Sequence, residues 1–251
     1  MMKYFLITVF ILLMSSGVTT AQSDLVDIAN QANQAYERGE YDLAIDLYES
    51  LIAFGVEDTA IYLNLGNAYY QRDQLGWALI NYLRAHQLSP RDDEVNNRIA
   101  QIRAERVDFL IEDTDILNLT ALATDGFMTL SELQTIIWVL WCMWLIVLSS
   151  WLLLKRRRVF LRVAIGVIGL PLLLGLILLI GRGYVELNRP IGVIVETTTQ
   201  VMSGPRDDYI ELYQLYSATE LRIIEQEGEW VRFHLTDGRE GWLPIDVIAK
   251  M

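Results

Sequence analysis

The sequence has little of what enzyme centres and disulfide-stabilised domains require. Of its 251 residues, one is a cysteine, Cys142, and two are histidines, His86 and His234. No intramolecular disulfide can form, and no Cys or His spacing suits zinc. We find no nucleophile with a neighbouring base and no glycine-rich phosphate loop. We therefore expect neither an enzyme nor a metal or other cofactor.

Basic residues are also scarce, with 20 Lys and Arg against 32 Asp and Glu. Residues 22–133 hold 20 acidic and 7 basic side chains, and residues 182–251 hold 12 and 7. Such acidic flanks argue against a nucleic-acid partner and against docking onto anionic lipid. They suit a protein partner or simple solubility.

Two long apolar runs carry no charge. The first is residues 134–154, and the second is residues 163–180 within a predicted span of residues 163–181. Each run is long enough to cross a hydrocarbon layer of about 30 Å, so the sequence predicts a two-helix transmembrane hairpin that contacts membrane lipid. A buried hairpin of a soluble protein is the alternative. The membrane interpretation is favoured because Trp138 and Trp151 lie near the ends of the first run, as interfacial anchors do, and because Gly166, Gly169 and Gly175 offer small surfaces for helix contact.

Residues 155–162 between the runs form a strongly basic turn, and basic turns stay on the cytoplasmic side of a membrane. The topology determinants are Lys155, Arg156, Arg157, Arg158 and Arg162. Both flanks are then expected on the opposite side. A signal peptide at residues 1–21, with Lys3, an apolar run and a small-residue end at Ala21, predicts export independently. We expect cleavage after Ala21; an uncleaved anchor is the alternative.

Residues 22–108 contain a repeat with a period of 34, seen by aligning residues 25–58 with residues 59–92. The second copy resembles a tetratricopeptide repeat; the first is weaker. The residues that carry the resemblance in the second copy are Tyr62, Leu65, Gly66, Tyr69, Ala78, Tyr82, Ala85 and Pro90. Residues 93–108 are expected to form a capping helix, and residues 109–133 a linker. This part of the chain is predicted to be a small α-helical solenoid.

The first helix of each repeat would line a groove for a protein partner. The candidate groove residues are Asn33, Asn64, Asn67, Tyr70 and Arg98. Tetratricopeptide domains that grip a C-terminal carboxylate are similar at Asn33, Asn64 and Arg98, but their two lysines are replaced by Ala29 and Glu94, which removes most of the attraction. An ordinary polar protein-binding groove is the preferred interpretation, beside the alternative that the asparagines are merely solvated.

After a second linker at residues 182–190, residues 191–251 show the alternation and turn signals of strands, with Asp237-Gly238 as a hairpin turn. Trp230, Asp237–Arg239 and Gly241-Trp242 resemble the bacterial SH3-like domain, which predicts a small all-β barrel. In signalling SH3 domains, a proline is followed three residues later by a tyrosine that lines the polyproline groove. Here Pro244 is present, but Val247 occupies the tyrosine position, which argues against polyproline recognition. Tyr209, Tyr213, Tyr216 and Trp242 are candidates for a shallow surface site for a peptide or cell-wall strand, beside the alternative that at least half of them fill the core.

The order of these parts resembles the BatE-type proteins of the Bacteroides aerotolerance operon. Residues 63–70 and 237–242 strengthen the resemblance, and the weak first repeat is the main departure. The resemblance implies a multi-pass bacterial inner-membrane protein with both flanks in the periplasm. It also implies Bat-type partners with von Willebrand A domains, a cytosolic MoxR-type ATPase, and a link to oxygen or stress tolerance.

The first hypothesis is therefore a membrane-anchored adaptor or scaffold that binds membrane or periplasmic proteins through its repeats and its barrel. The alternative is a peptidoglycan-binding protein in which the barrel grips the cell wall and the repeats are a spacer. An enzyme of unrecognised type is a third class without a supporting constellation.

Overall fold

The computed structural model describes residues 24–107, 127–153, 158–188, 190–206 and 208–251. The expected signal peptide, most of the first linker, and Lys155, Arg156 and Arg157 lie outside the described residues. Within them, the chain forms an all-α region, two long apolar helices and an antiparallel β region, as expected at this level.

The α region consists of five helices joined by short turns. They are α1 (24–37), α2 (Tyr41–Ala53), α3 (Thr59–Gln71), α4 (Leu75–Leu88) and α5 (Asp93–Glu105). Asp58 and Asp92, 34 positions apart, each cap the following helix through two backbone amides, which satisfies donors that a helix start leaves free. Gly39 and Gly55 end α1 and α2 at positive φ, a conformation that glycine adopts without strain.

Small and large side chains alternate in the core of the α region. Ala32, Ala35, Ala44, Ala68 and Ala78 are fully buried and allow neighbouring helices to approach closely. Gly66 faces the Tyr82 ring so closely that a methyl group there would meet ring carbons at 2.5–2.6 Å. On α5, Val95, Ile99 and Ile102 form the expected buried side of the last helix.

The two apolar helices pack against each other as a hairpin. They are α6 (Leu130–Leu153) and α7 (Arg158–Asn188), and both are long and apolar enough to span a membrane. Gly169 approaches Trp144 and Gly175 approaches Ile137 across the contact, whereas Gly166 has no neighbour within 4 Å of its absent Cβ. At 1.5 Å per residue, α7 is about 46 Å long, so it exceeds the hydrocarbon thickness.

Both helices begin before the uncharged runs. We expected residues 155–162 to form the turn, but α7 starts at Arg158, and Arg162 lies exposed within its first turns. Arginine is a good helix former, and a helix ends at a capping signal rather than at the edge of the lipid. For the same reason α6 starts at Leu130, inside the predicted first linker, and α7 continues past residue 181 to Asn188, through most of the predicted second linker.

The β region is a seven-stranded antiparallel sheet in the order β3-β2-β6-β5-β4-β1-β7. Its strands are β1 (Ile191–Ile194), β2 (Thr198–Met202), β3 (Glu211–Tyr216), β4 (Glu220–Glu227), β5 (Trp230–His234), β6 (Glu240–Pro244) and β7 (Ile248–Lys250). Gly238 turns between β5 and β6 at φ 89°, as the Asp-Gly signal predicts. Alternate residues, including Val231, Phe233 and Leu243, build the core of the sheet.

Candidate protein-binding surfaces

One row of polar side chains follows α1, α3 and α5 on the α region. Asn33 Oδ1 accepts hydrogen bonds from Tyr48 Oη (2.6 Å) and from Asn64 Nδ2 (3.2 Å). Asn67 Oδ1 accepts one from Tyr82 Oη (2.8 Å). The two Asn–Tyr pairs are 34 positions apart, so the same hydrogen bond recurs in each helical pair. It fixes both asparagines while their amide groups stay partly exposed.

The tyrosines of these pairs are buried phenols. Burial raises the pKa of Tyr48 to about 12, against a smaller lowering effect of the neighbouring Asn64 side chain. Burial also raises the pKa of Tyr82. Both hydroxyls therefore stay protonated at neutral pH and act as donors to the asparagines.

Tyr70 and Arg98 continue the row through α5. Tyr70 Oη donates to Glu105 Oε1 (3.0 Å) and accepts from Gln101 Nε2 (2.8 Å), which joins α3 to α5. Arg98 Nη1 donates to Gln101 Oε1 (3.4 Å), and Arg98 Nη2 lies 4.0 Å from Glu94. The five predicted groove residues thus lie along three neighbouring helices. Glu94 offsets the charge of Arg98, which disfavours a carboxylate ligand.

The four aromatic residues proposed for the β-region site occupy different environments. Tyr213 packs against the core of the sheet, and its hydroxyl donates to the Glu240 carbonyl (3.0 Å). Tyr209 is 45% exposed and covers Gly204. Trp242 is half-buried on the other side of β6 from Leu243. Tyr216 instead lines a cleft at the junction with the α region.

That junction is a surface that the sequence reasoning missed. Helix α4 packs against β1 and β7, and Val193, Ala218 and Ala249 of the β region belong to the same core cluster as α4. Polar contacts accompany the apolar ones: the Gly76 amide donates to Ser217 Oγ (3.0 Å), and Arg84 Nη2 donates to the Lys250 carbonyl (3.0 Å). Residues of both regions therefore contribute to one core cluster, the shared core, beside the separate cluster inside the sheet.

A partly buried cluster of one glutamate and two arginines lies at one side of the junction. Glu220 at the start of β4 binds Arg103 and Arg106 from the end of α5, with N–O distances of 2.7 and 2.8 Å. Burial raises the pKa of Glu220, but the two guanidinium groups more than offset this effect, so its pKa is lowered overall. Beside this cluster, a cleft of about 380 Å³ is lined by Trp77, Arg106 and Tyr216, among others.

The sequence did contain a signal for this junction. Aligned at the period of 34, the exposed acids Asp42, Asp46 and Glu49 of α2 correspond to Gly76, Ile80 and Leu83 of α4. The three α4 residues are buried. Their spacing of four and three positions places them on one helix face, so an acidic outer face in one repeat is apolar in the next.

An ion pair joins the α region to the hairpin, and a hydrogen bond joins the two ends of the hairpin. Arg91, after α4, pairs with Glu132 on α6 at 2.5 Å. Arg182 on α7 is buried and donates to the Met128 carbonyl before α6 (3.0 Å).

No group of three His, Cys, Asp or Glu side chains suited to a metal occurs within the part of the chain that the structure describes. Comparison of the chain with protein-family models and with curated proteins finds no match.

Proposed function

We propose that this chain is a membrane-anchored, periplasm-facing adaptor that holds a protein partner in the groove of its α region. One observation carries the proposal. The polar row on α1, α3 and α5 remains accessible, while the β region occupies the outer side of α4. Aligned amides and an arginine offer donors and acceptors to an extended polypeptide. The row has no nucleophile–base pair, so binding without chemistry is the proposed role.

The shared core supports the proposed topology. The α region precedes the hairpin and the β region follows it, with two residues between α7 and β1. Two regions that pack together must lie on one side of a membrane, and an even number of crossings achieves this. The basic residues between α6 and α7 favour a cytoplasmic turn, which places both regions in the periplasm of an inner-membrane protein.

The finer assignments rest on the sequence resemblance. In this proposal, α1–α4 are two tetratricopeptide repeats, α5 is their cap, and the β region is a bacterial SH3-like barrel. The recurring Asn33–Tyr48 and Asn67–Tyr82 hydrogen bonds support a true repeat. BatE-type resemblance makes Bat-type membrane proteins with von Willebrand A domains the first partners to test, in an envelope complex linked to oxygen or stress tolerance.

A crosslinked pull-down from native membranes tests the adaptor role. We would compare the parent chain with an Arg98→Glu variant, which reverses charge in the groove. Arg38→Glu is the matched control, because it makes the same change at an exposed turn outside the row. We expect Arg98→Glu alone to lose specific membrane or periplasmic proteins. Identical protein sets from all three chains would contradict the proposal.

Point variants are preferable to deletion of either region, because deletion would expose the shared core. The same preparations should be sedimented with purified peptidoglycan. If no protein depends on Arg98 and sedimentation depends on the exposed Tyr209, the wall-binding alternative replaces the adaptor.

A further inference from the structure

We propose that docking of the β region onto α4 makes the stability of the α region depend on correct membrane insertion of the hairpin. The inference requires the two membrane crossings but not the adaptor role. It concerns an apolar face of α4 that, within the part of the chain that the structure describes, is covered by the later β region.

Helix α4 is buried on all sides. Its buried residues include the inward-facing Ala78, Tyr82 and Ala85 and also Gly76, Ile80 and Leu83. In α2, the residues that match the last three are the exposed acids Asp42, Asp46 and Glu49. An α region without the β region would therefore expose an apolar stripe on α4 that α2 does not have.

The α and β regions approach each other at backbone distance. A methyl group on Gly76 would overlap the Ile194 carbonyl oxygen and would lie 2.7 Å from Val195 Cα. Val193 and Ala218 in the β region are fully buried and belong to the core cluster of α4. Contact at backbone distance has the density of a protein interior, so docking contributes to the fold itself.

The two regions lie on either side of the hairpin in the sequence. The α region is made before the hairpin, and the β region follows α7 after two residues. If α7 fails to cross the membrane, the β region stays in the cytoplasm while the α region is in the periplasm. The apolar face of α4 then remains exposed to water. A correctly inserted hairpin returns the β region to α4. The β region can therefore dock onto α4 only in a chain whose α7 has crossed the membrane.

Protease resistance of the full chain in intact spheroplasts tests this inference. Leu173→Lys and Leu174→Lys place two charges on lipid-exposed positions of α7 and oppose its insertion. Asp237→Cys in a Cys142→Ser background reports the location of the β region through an impermeant thiol reagent. In chains whose Cys at 237 is not labelled, we expect proteolysis of the α region to be roughly tenfold faster, because proteolysis follows the open population. Leu173→Ala with Leu174→Ala is the matched control and should behave as the parent chain does.

A second measurement needs no change of topology. Glu220→Arg sets three cations together at the junction and should open it in a correctly inserted chain, again with faster proteolysis of the α region. Adding Arg103→Glu and Arg106→Glu restores opposite charges and should restore resistance. If the α region stays as resistant as in the parent chain when the β region is absent from its side, or when Glu220 is reversed, the inference is wrong.

Discussion

Helices α2 and α4 are equivalent in the 34-residue repeat, yet they meet different surroundings. Both place a tyrosine, Tyr48 or Tyr82, against the inner row of asparagines. Their outer faces differ: α2 exposes Asp42, and α4 buries Gly76 at the matching position. Strands β1 and β7 account for the difference, because they pack against α4 and, among the described residues, have no comparable contact with α2.

One helical scaffold therefore carries two kinds of surface. The inner faces keep a common hydrogen bond, which suits a groove that continues across the repeats. The outer face is free to vary, so the second repeat became a docking surface for a distant part of the chain while the first stayed in solvent. Substitutions at matched positions should therefore agree on the inner face and disagree on the outer face.

The largest disagreement is expected for Ile80→Asp. Ile80 is fully buried, so the variant places an unpaired carboxylate in the shared core and should lower the free energy of unfolding by about 4 kcal/mol. The matched change, Asp46→Ala on α2, alters an exposed residue and should stay within about 0.5 kcal/mol. Denaturant unfolding of the detergent-solubilised chain measures both. Equal effects would mean that the outer faces do not differ in solution.

Gly76→Ala should be the next largest. In an open helix this change stabilises by up to about 1 kcal/mol, because alanine is the better helix former. Here the new methyl group would overlap the β1 backbone, so we expect a loss of about 3 kcal/mol. The same denaturant measurement applies.

Asp42→Ala provides the control for Gly76→Ala. It loses only the exposed ion pair with Arg72, which is worth roughly 0.5 kcal/mol. A stabilising Gly76→Ala would show that the junction is open in solution.

Much of this architecture follows from local sequence patterns. The period of 34 predicts the helical pairs, the uncharged runs predict α6 and α7, and Asp237-Gly238 predicts the turn between β5 and β6. Each of these signals is carried by residues close together in the chain, where spacing translates directly into a helix face or a strand.

The junction is different because its partners are far apart in the sequence. Gly76 and Ser217 are separated by 141 positions, and Arg84 and Lys250 by 166. Local periodicity indicates that the apolar outer face of α4 must be buried, but it does not identify the residues that bury it. The start of α7 at Arg158 was missed for a simpler reason, since hydropathy marks the lipid boundary rather than the helix end.

Glu220→Gln tests the polar side of the junction. The variant leaves Arg106, of which 10% is exposed, without its anionic partner and should cost about 2 kcal/mol at pH 7, less than a fully buried pair because Arg103 is half exposed. The lowered pKa of Glu220 means that its contribution is present above the unfolded pKa of about 4.3 and is lost as the pH falls through the folded value.

The difference in stability between the parent chain and Glu220→Gln should therefore shrink as the pH is lowered from about 5. Thermal unfolding at several pH values measures it. A difference that stays constant down to acid denaturation would show that the ion pair does not stabilise the junction.

The smallest effects are expected where the repeats agree. Tyr82→Phe removes the hydroxyl that binds Asn67 and should cost about 1 kcal/mol. Tyr48→Phe should cost roughly half as much, because Asn33 keeps its second donor, Asn64. Both variants change one atom beneath the groove and none at the junction, so binding of a groove partner should weaken while the docking of the β region is kept. A Tyr82→Phe chain that instead becomes sensitive to protease at the junction would mean that the inner and outer faces of α4 are coupled, and that the two surfaces are one cooperative unit.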